Sequence, residues 1–269
     1  MVPPGKLRHY GAASSFVDSR LAGGHVAFPL DDLVRETGLS VTGAKCQLRR
    51  LGRRVSRISR LQGFFLIVNP EHQLLGAPPV EWWLDDYFRW LGHPYYLALQ
   101  SAAGFHGSNP QAIQMAQVMT DRPRREVAVG RLRIRFFVKR QLERTPAQEV
   151  TGSYAPLRVS TPAATALDLV KYAPRIGGIG RAAETIAPLL AGIHVAELRQ
   201  LLDLEGEVSS AQRLGYIVEK LGCEKLARTI HAWLPEPLPW VPLSGAQGDG
   251  RSDADRIPRW HVFGETALA

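Results

Sequence analysis

At 269 residues, 45% of them hydrophobic, the chain is long enough for one large core or two smaller ones. Its two cysteines, Cys46 and Cys223, have neither metal-ligand spacing nor disulfide-scaffold density, which fits a reducing cytoplasm. With no signal-peptide stretch after Met1, no apolar run of the ~18–20 residues a bilayer needs and no fixed-period repeat, a cytoplasmic protein away from the membrane is expected, and a solenoid or propeller is not. The formal net charge of +8 is unevenly held: residues 1–69 carry 11 Lys/Arg against 4 Asp/Glu, residues 70–269 carry 22 against 21. A basic excess confined to one small module is the electrostatic footprint of a phosphate backbone.

Residues before about Phe16 read as either a first helix or a mobile arm. From Pro29 to Gly38 the chain has the marks of a short helix, with Asp31 and Asp32 in the first turn and glycine at the end. Leu39-Ser40 forms a turn, and Ser40 is a good N-cap for a helix over Val41–Leu51, stopped by Gly52. Ala44, Leu48 and Leu51 make its buried stripe, so Thr42, Lys45, Cys46 and Arg49 face outward. Val55–Arg60 and Phe64–Val68 read as two strands joined at Gln62-Gly63, a wing with an arginine edge.

Helix, turn, helix and wing together spell a winged helix-turn-helix. Between Val41 and Arg60 there are seven cations and no acid. The expected DNA-binding residues are therefore Ser40, Thr42, Gly43, Lys45, Cys46, Arg49 and Arg50 on the recognition helix, with Arg53, Arg54, Arg57 and Arg60 on the turn and wing. A solvated basic helix in a protein–protein module is the competing reading; twenty residues without a compensating acid weigh against it.

Glu71–Pro79 reads as a linker, which sets the expected boundaries: a DNA-binding domain over 1–70, a linker over 71–79 and a mixed α/β domain over 80–269. The predicted class is α+β. Pro79 opens a predicted helix through Leu91, and Tyr95–His106 a second. Ile113–Thr120 and Arg131–Lys139 read as a pair of strands, Leu157–Ser160 as a further strand. Thr161-Pro162 opens a helix through Tyr172. Helices follow at Ile179–Leu190, Val195–Leu204, Ser209–Leu221 and Cys223–Leu234, making the second half helical. Ser244–Arg256 has loop composition, and Arg259–Phe263 reads as an edge strand.

A second basic cluster includes Arg122, Arg124, Arg125, Arg131, Arg133 and Arg135. It either extends the nucleic-acid track, docks an acidic partner, or is the polar face of a half-buried hairpin, since the last three arginines alternate with Leu132, Ile134 and Phe136. Most of the seven aromatics between Trp82 and Tyr96 fit a core stripe; Trp82 and Phe88 fall off it and are candidates for a partner surface. Gly177-Gly178-Ile179-Gly180 lacks the Lys-Ser/Thr ending of a phosphate loop, and His106 reads as a packed histidine. Asp121, Glu126 and Glu149 lack the strand context of a metal nuclease, and no nucleophile–base set stands out. No enzyme, metal or cofactor is expected.

Several short segments in order support a family resemblance: Tyr95-Tyr96-Leu97-Ala98-Leu99-Gln100-Ser101-Ala102-Ala103-Gly104-Phe105-His106-Gly107, Val118-Met119-Thr120, Val159-Ser160-Thr161-Pro162 leading to Leu167-Asp168-Leu169, Gln212-Arg213-Leu214-Gly215-Tyr216, and Arg259-Trp260. Together with the N-terminal module, the chain resembles the AbiEi-type antitoxins, the regulator halves of AbiE (type IV) toxin–antitoxin systems of bacterial phage defence. It departs from them at Ala164-Thr165, where Arg-Thr is common, and at Phe263-Gly264-Glu265, where an asparagine is common. The resemblance implies a transcriptional autorepressor that binds double-stranded operator DNA with inverted repeats. It also implies an antitoxin that counteracts a co-encoded nucleotidyltransferase-like toxin, with no stable complex required. The alternatives from the residues alone are a winged-helix repressor that senses a small molecule and a helix-turn-helix-targeted nuclease.

Overall fold

The computed structural model describes residues 11–58, 63–108, 115–151, 155–244 and 256–264. It is a mixed α+β protein with ten α-helices among those residues, as the sequence pattern predicts. None of these helices is long and apolar enough to cross a membrane. The chain divides into two compact units, each assembled from separate segments: Met1–Tyr95, Ile113–Lys139 and Glu149–Arg158 form one, and the remainder forms the other.

The first unit opens with α1 (Ala12–Ala22), so the segment around Phe16 is a helix. Strand β1 (Ala27–Pro29), which the sequence pattern does not announce, leads into α2 (Leu30–Thr37) and α3 (Val41–Arg50). Strands β2 (Val55–Arg57) and β3 (Phe64–Ile67) follow. Antiparallel pairing sets β3 between β1 and β2, with Phe28 opposite Phe65 and Ser56 opposite Leu66. All four β3 residues are buried, which explains an apolar run without alternation. Phe65 and Ile67 join the cluster formed by the three helices, where Phe28 stacks on Phe65 at 5.7 Å and meets Phe16 edge-on at 5.1 Å. Phe64 instead packs against Tyr87 and Trp90, each at 5.3 Å.

Those two aromatics lie on α4 (Leu84–Leu91). The predicted helix from Pro79 is shorter than expected. A single 3-10 turn, Val80–Trp82, comes first, and Trp83 interrupts it with φ of −144°. Its fully buried indole, donating Nε1–H to Pro78 O at 3.2 Å, fixes that break. The expected strand pair is also corrected. β5 (Met115–Thr120) and β7 (Leu132–Val138) are parallel rather than a hairpin, and the hairpin is made by β6 (Val127–Val129) with β7 across Gly130. The chain also forms strand β8 (Ala147–Thr151), which carries no strong pattern and is not expected from the sequence.

In the second unit, the predicted helix from Tyr95 starts late. Tyr95–Leu97 is strand β4, and α5 spans Leu99–Phe105. Leu97 pairs in parallel with Val159 of β9 (Pro156–Ser160). That partner lies some sixty residues away, so no local signal announces it. Thr161 caps α6 (Pro162–Lys171), accepting from Ala164 N, and Ala163 through Val170 are all buried, making α6 the central helix. Around it run α7 (Gly178–Ile186), α8 (Val195–Glu205), α9 (Val208–Lys220) and α10 (Glu224–Trp233), close to the predicted spans. Strands β10 (Val241–Pro242), β11 (Arg256–Ile257) and β12 (Val262–Phe263) close the unit with β12 in the middle. The expected edge strand over 259–263 is thus a 3-10 turn, Pro258–Trp260, followed by a central strand. Most of the predicted loop 244–256 lies outside the described residues.

Candidate nucleic-acid interface

Helix α3 is built from local signals. Gly38 ends α2 in the left-handed region at φ 68°, and Ser40 Oγ accepts from Gly43 N at 3.1 Å. Loss of that cap in Ser40→Ala is expected to lower stability by about 1 kcal/mol, read from denaturant unfolding. Ala44 and Leu48 are buried, and Leu51 is half-buried against the same cluster. Thr42, Lys45, Cys46, Arg49 and Arg50 are exposed, Ser40 is exposed at the cap, and Gly43 is partly covered.

The cations divide by what they touch. Lys45, Arg49, Arg50 and Arg53 are exposed, and no ion pair involves them among the described residues. Arg54 differs: its guanidinium pairs with Asp18 and donates to Ser14 Oγ at 3.2 Å, tying the turn after α3 to α1. The sequence could not separate Arg54 from its neighbours, because its partner is 36 residues away. Arg57 is exposed and lies over the Phe65 ring at 5.8 Å. Arg60 and the expected wing tip lie outside the described residues. The acids are segregated too: Asp32 and Glu36 face Arg20, at 3.4 and 2.5 Å. No acid stands on α3 itself. Between α3 and the sheet runs an open groove of about 540 Å³, lined by Thr42, Lys45, Cys46 and Arg49 on the helix and by Val55, Arg57 and Phe65 on the strands. The lining combines the cations Lys45, Arg49 and Arg57 with apolar Leu48, Val55 and Phe65 and holds no acid, which suits a polyanion.

The second group of candidates is scattered. Phe88 is only 1% exposed, stacked on Tyr95 at 4.5 Å with Arg124 over its ring at 5.6 Å; it belongs to the core and presents no surface. Phe88 stands four residues after Leu84 and shares its face, so the buried face of α4 is wider than the expected stripe. Trp82 is half-buried, edge-on to His72 at 5.1 Å. Arg122 is exposed and 3.4 Å from Asp121, and Arg135 lies 3.7 Å from Glu126. Arg125, Arg131 and Arg133 are exposed with no ion pair among the described residues. Asp121 also faces His93 at 3.5 Å, and no group of three or more His, Cys, Asp or Glu among the described residues is placed to share a metal ion.

The short motifs of the second unit have structural duties. Tyr96 donates to buried Asp168 at 2.8 Å; burial and that carboxylate push the phenol well above its ordinary range, so it stays a donor. His106 Nε2 donates to Ser160 O at 2.7 Å, and Ser160 Oγ shares a hydrogen with Thr165 at 2.7 Å. Gln212 donates to Pro239 O and Trp260 O, at 2.8 and 3.0 Å, and Arg213 to Pro242 O at 2.8 Å. Trp260 donates to Glu219 at 2.6 Å over Gly215, and Arg259 pairs with Glu219 and Glu224. Gln212, Arg213, Arg259 and Trp260 thereby tie α9 and α10 to the segment carrying β10–β12.

The fold and the site define a mixed α+β protein whose first unit presents an unopposed basic helix beside a small antiparallel sheet. Residues 96–220 match the AbiEi antitoxin C-terminal domain. Over 93% of this chain and 90% of the other, the structure is similar to the crystal structure of the RV2827C protein from Mycobacterium tuberculosis, with a TM-score of 0.65 and 16% sequence identity, a likeness of fold. No curated protein matches the sequence.

Proposed function

We propose that the protein is a DNA-binding transcriptional autorepressor and an antitoxin. In this reading residues 1–70 are a winged helix-turn-helix, residues 71–79 connect it, and residues 80–269 counteract a co-encoded nucleotidyltransferase-like toxin. The observation that carries the DNA-binding half is the outer face of α3. Lys45, Arg49, Arg50 and Arg53 stand exposed, with no ion pair among the described residues, while the module's Arg20 and Arg54 are neutralised by acids on α1 and α2. A surface kept for solubility mixes both signs; one kept for phosphate does not. The antitoxin half is supported by the AbiEi domain at 96–220. The partners are double-stranded operator DNA with inverted repeats and the toxin, which need not form a stable complex.

The test is binding of the full-length protein to a duplex from upstream of its own gene, across a salt series. Affinity should fall with a log–log slope of about −0.9 per phosphate neutralised. Arg49→Ala should cost about 1–3 kcal/mol on that duplex and less on random sequence if, as proposed, Arg49 reads base edges. Equal weakening on both duplexes would reassign Arg49 to the backbone, and a salt-independent isotherm would end the DNA-binding reading. Co-expression with the toxin checks the other half: Arg49→Ala protein should lose repression and keep protection.

A further inference from the structure

The β6–β7 hairpin is fastened to Leu75-Gly76, a segment that β2 also holds, by an approach so close that it leaves no room for a side chain. Ser56 Oγ, on β2, donates to Gly76 O at 2.6 Å, and Arg131 N donates to the neighbouring Leu75 O at 2.7 Å. Between these bonds Gly76 and Gly130 meet backbone to backbone, with φ of 74° and 57°. A Cβ on Gly130 would overlap Leu75 O and lie 2.7 Å from the Gly76 Cα. Arg57 on β2 and Arg131 at the hairpin turn are each one residue from this staple.

Along the hairpin the charge is graded. Arg131 and Arg133 are exposed and unpaired among the described residues, whereas Arg135, farther from the staple, faces Glu126 at 3.7 Å. Successive residues on one face of a strand are about 6.8 Å apart. The flanking positions opposite Arg133 are Ala128 and Met115, both exposed and neither charged. Alternation in a half-buried strand explains why these positions are polar. It does not explain two arginines lacking a cross-strand acid at the stapled end, when such a pair stands one step along.

We propose that Arg131 and Arg133 form a second phosphate-binding element, which seats on the duplex backbone outside the segment faced by α3. The proposal rests on the DNA-binding reading and extends its track from Arg57 through the staple.

The experiment uses full-length protein, a duplex from upstream of its gene, binding across a salt series and hydroxyl-radical footprinting. Arg131→Ala with Arg133→Ala should make the log–log salt slope shallower by about 1.8, roughly 0.9 for each phosphate left without its arginine. Protection should shorten on one side of the segment covered by α3, with the preference for operator over random duplex unchanged. Lysine at both positions should restore the slope, because a phosphate accepts a point charge. Gly130→Ala keeps both arginines but forces the hairpin off Leu75, and should lose the same protected segment. An unchanged slope and footprint in the folded alanine double variant overturns the proposal. So does an unchanged slope accompanied by failure to neutralise the toxin, which would make the hairpin a protein-facing surface. A wild-type protein that binds no duplex in a salt-dependent way fails one level earlier, at the reading of α3, and is distinguished by that.

Discussion

Replacing Lys45, Arg49, Arg50 and Arg53 together by alanine is expected to weaken operator binding by roughly 100-fold or more while leaving the fold unchanged. The four side chains are exposed, join no ion pair among the described residues and line or flank the groove beside α3. Their removal takes away charge without opening a cavity or stranding a partner. If all four reach the duplex, the salt slope should flatten by about 3–4 units. Fluorescence anisotropy gives the affinities, and thermal melting reports the fold. Arg54→Ala is the internal contrast, since Arg54 is already neutralised by Asp18 and bonded to Ser14. It should change stability by no more than about 1 kcal/mol, as exposed pairs do, and affect affinity less than any of the four. Full affinity in the quadruple variant would place the DNA-binding surface elsewhere.

The largest stability effects are expected where Gly215 meets Trp260. This glycine lies on α9 where Trp260 crosses it, and a Cβ there would overlap the indole, lying 2.5 Å from both Cε3 and Cη2. The ring cannot retreat easily: Trp260 is fully buried, its Nε1 donates to Glu219, and its carbonyl accepts from Gln212. Gly215→Ala should therefore cost about 3 kcal/mol, the upper end of overpacking penalties. For a chain of this size that lowers the melting temperature by roughly 6–12 °C. Trp260→Ala should cost about 3–5 kcal/mol on its own. Once the ring is gone, adding Gly215→Ala should cost little, because the clash needs both residues. A Gly215→Ala protein that melts with the wild type would show that α9 and the Trp260 turn are not in register as described.

Much of the first unit was legible in the chain because its signals are local. Ser40 caps a helix three residues on, Gly38 ends the preceding one, and the spacing of Ala44 and Leu48 tells which face of α3 is buried. The outward direction of Lys45 and Arg49 follows from that spacing alone. In the second unit, Thr161-Pro162 announced α6 in the same way, and helical periodicity placed α8 to α10 within a few residues.

What the sequence could not disclose depends on partners far along the chain. Tyr95–Leu97 reads as the start of a helix until Val159 is found beside Leu97. Apolar residues at β5 and β7 suggest a hairpin, and only the fold makes them parallel, with β6 on the far side of β7. Phe88 shares the face of Leu84, and the width of the buried face of α4 is decided by Tyr95 and Phe136, which pack on Phe88. Arg54, Arg131 and Arg133 show the same limit in electrostatics. Composition counts a positive charge equally wherever it stands, but Asp18 cancels the first and nothing described cancels the other two. Periodicity, caps and net charge are properties of neighbours in sequence, so the chain alone determines a basic helix and its exposed face. Strand pairing, ion pairing and backbone staples such as Gly76 with Gly130 join residues tens of positions apart, and their energies exist only once the tertiary fold has brought them together.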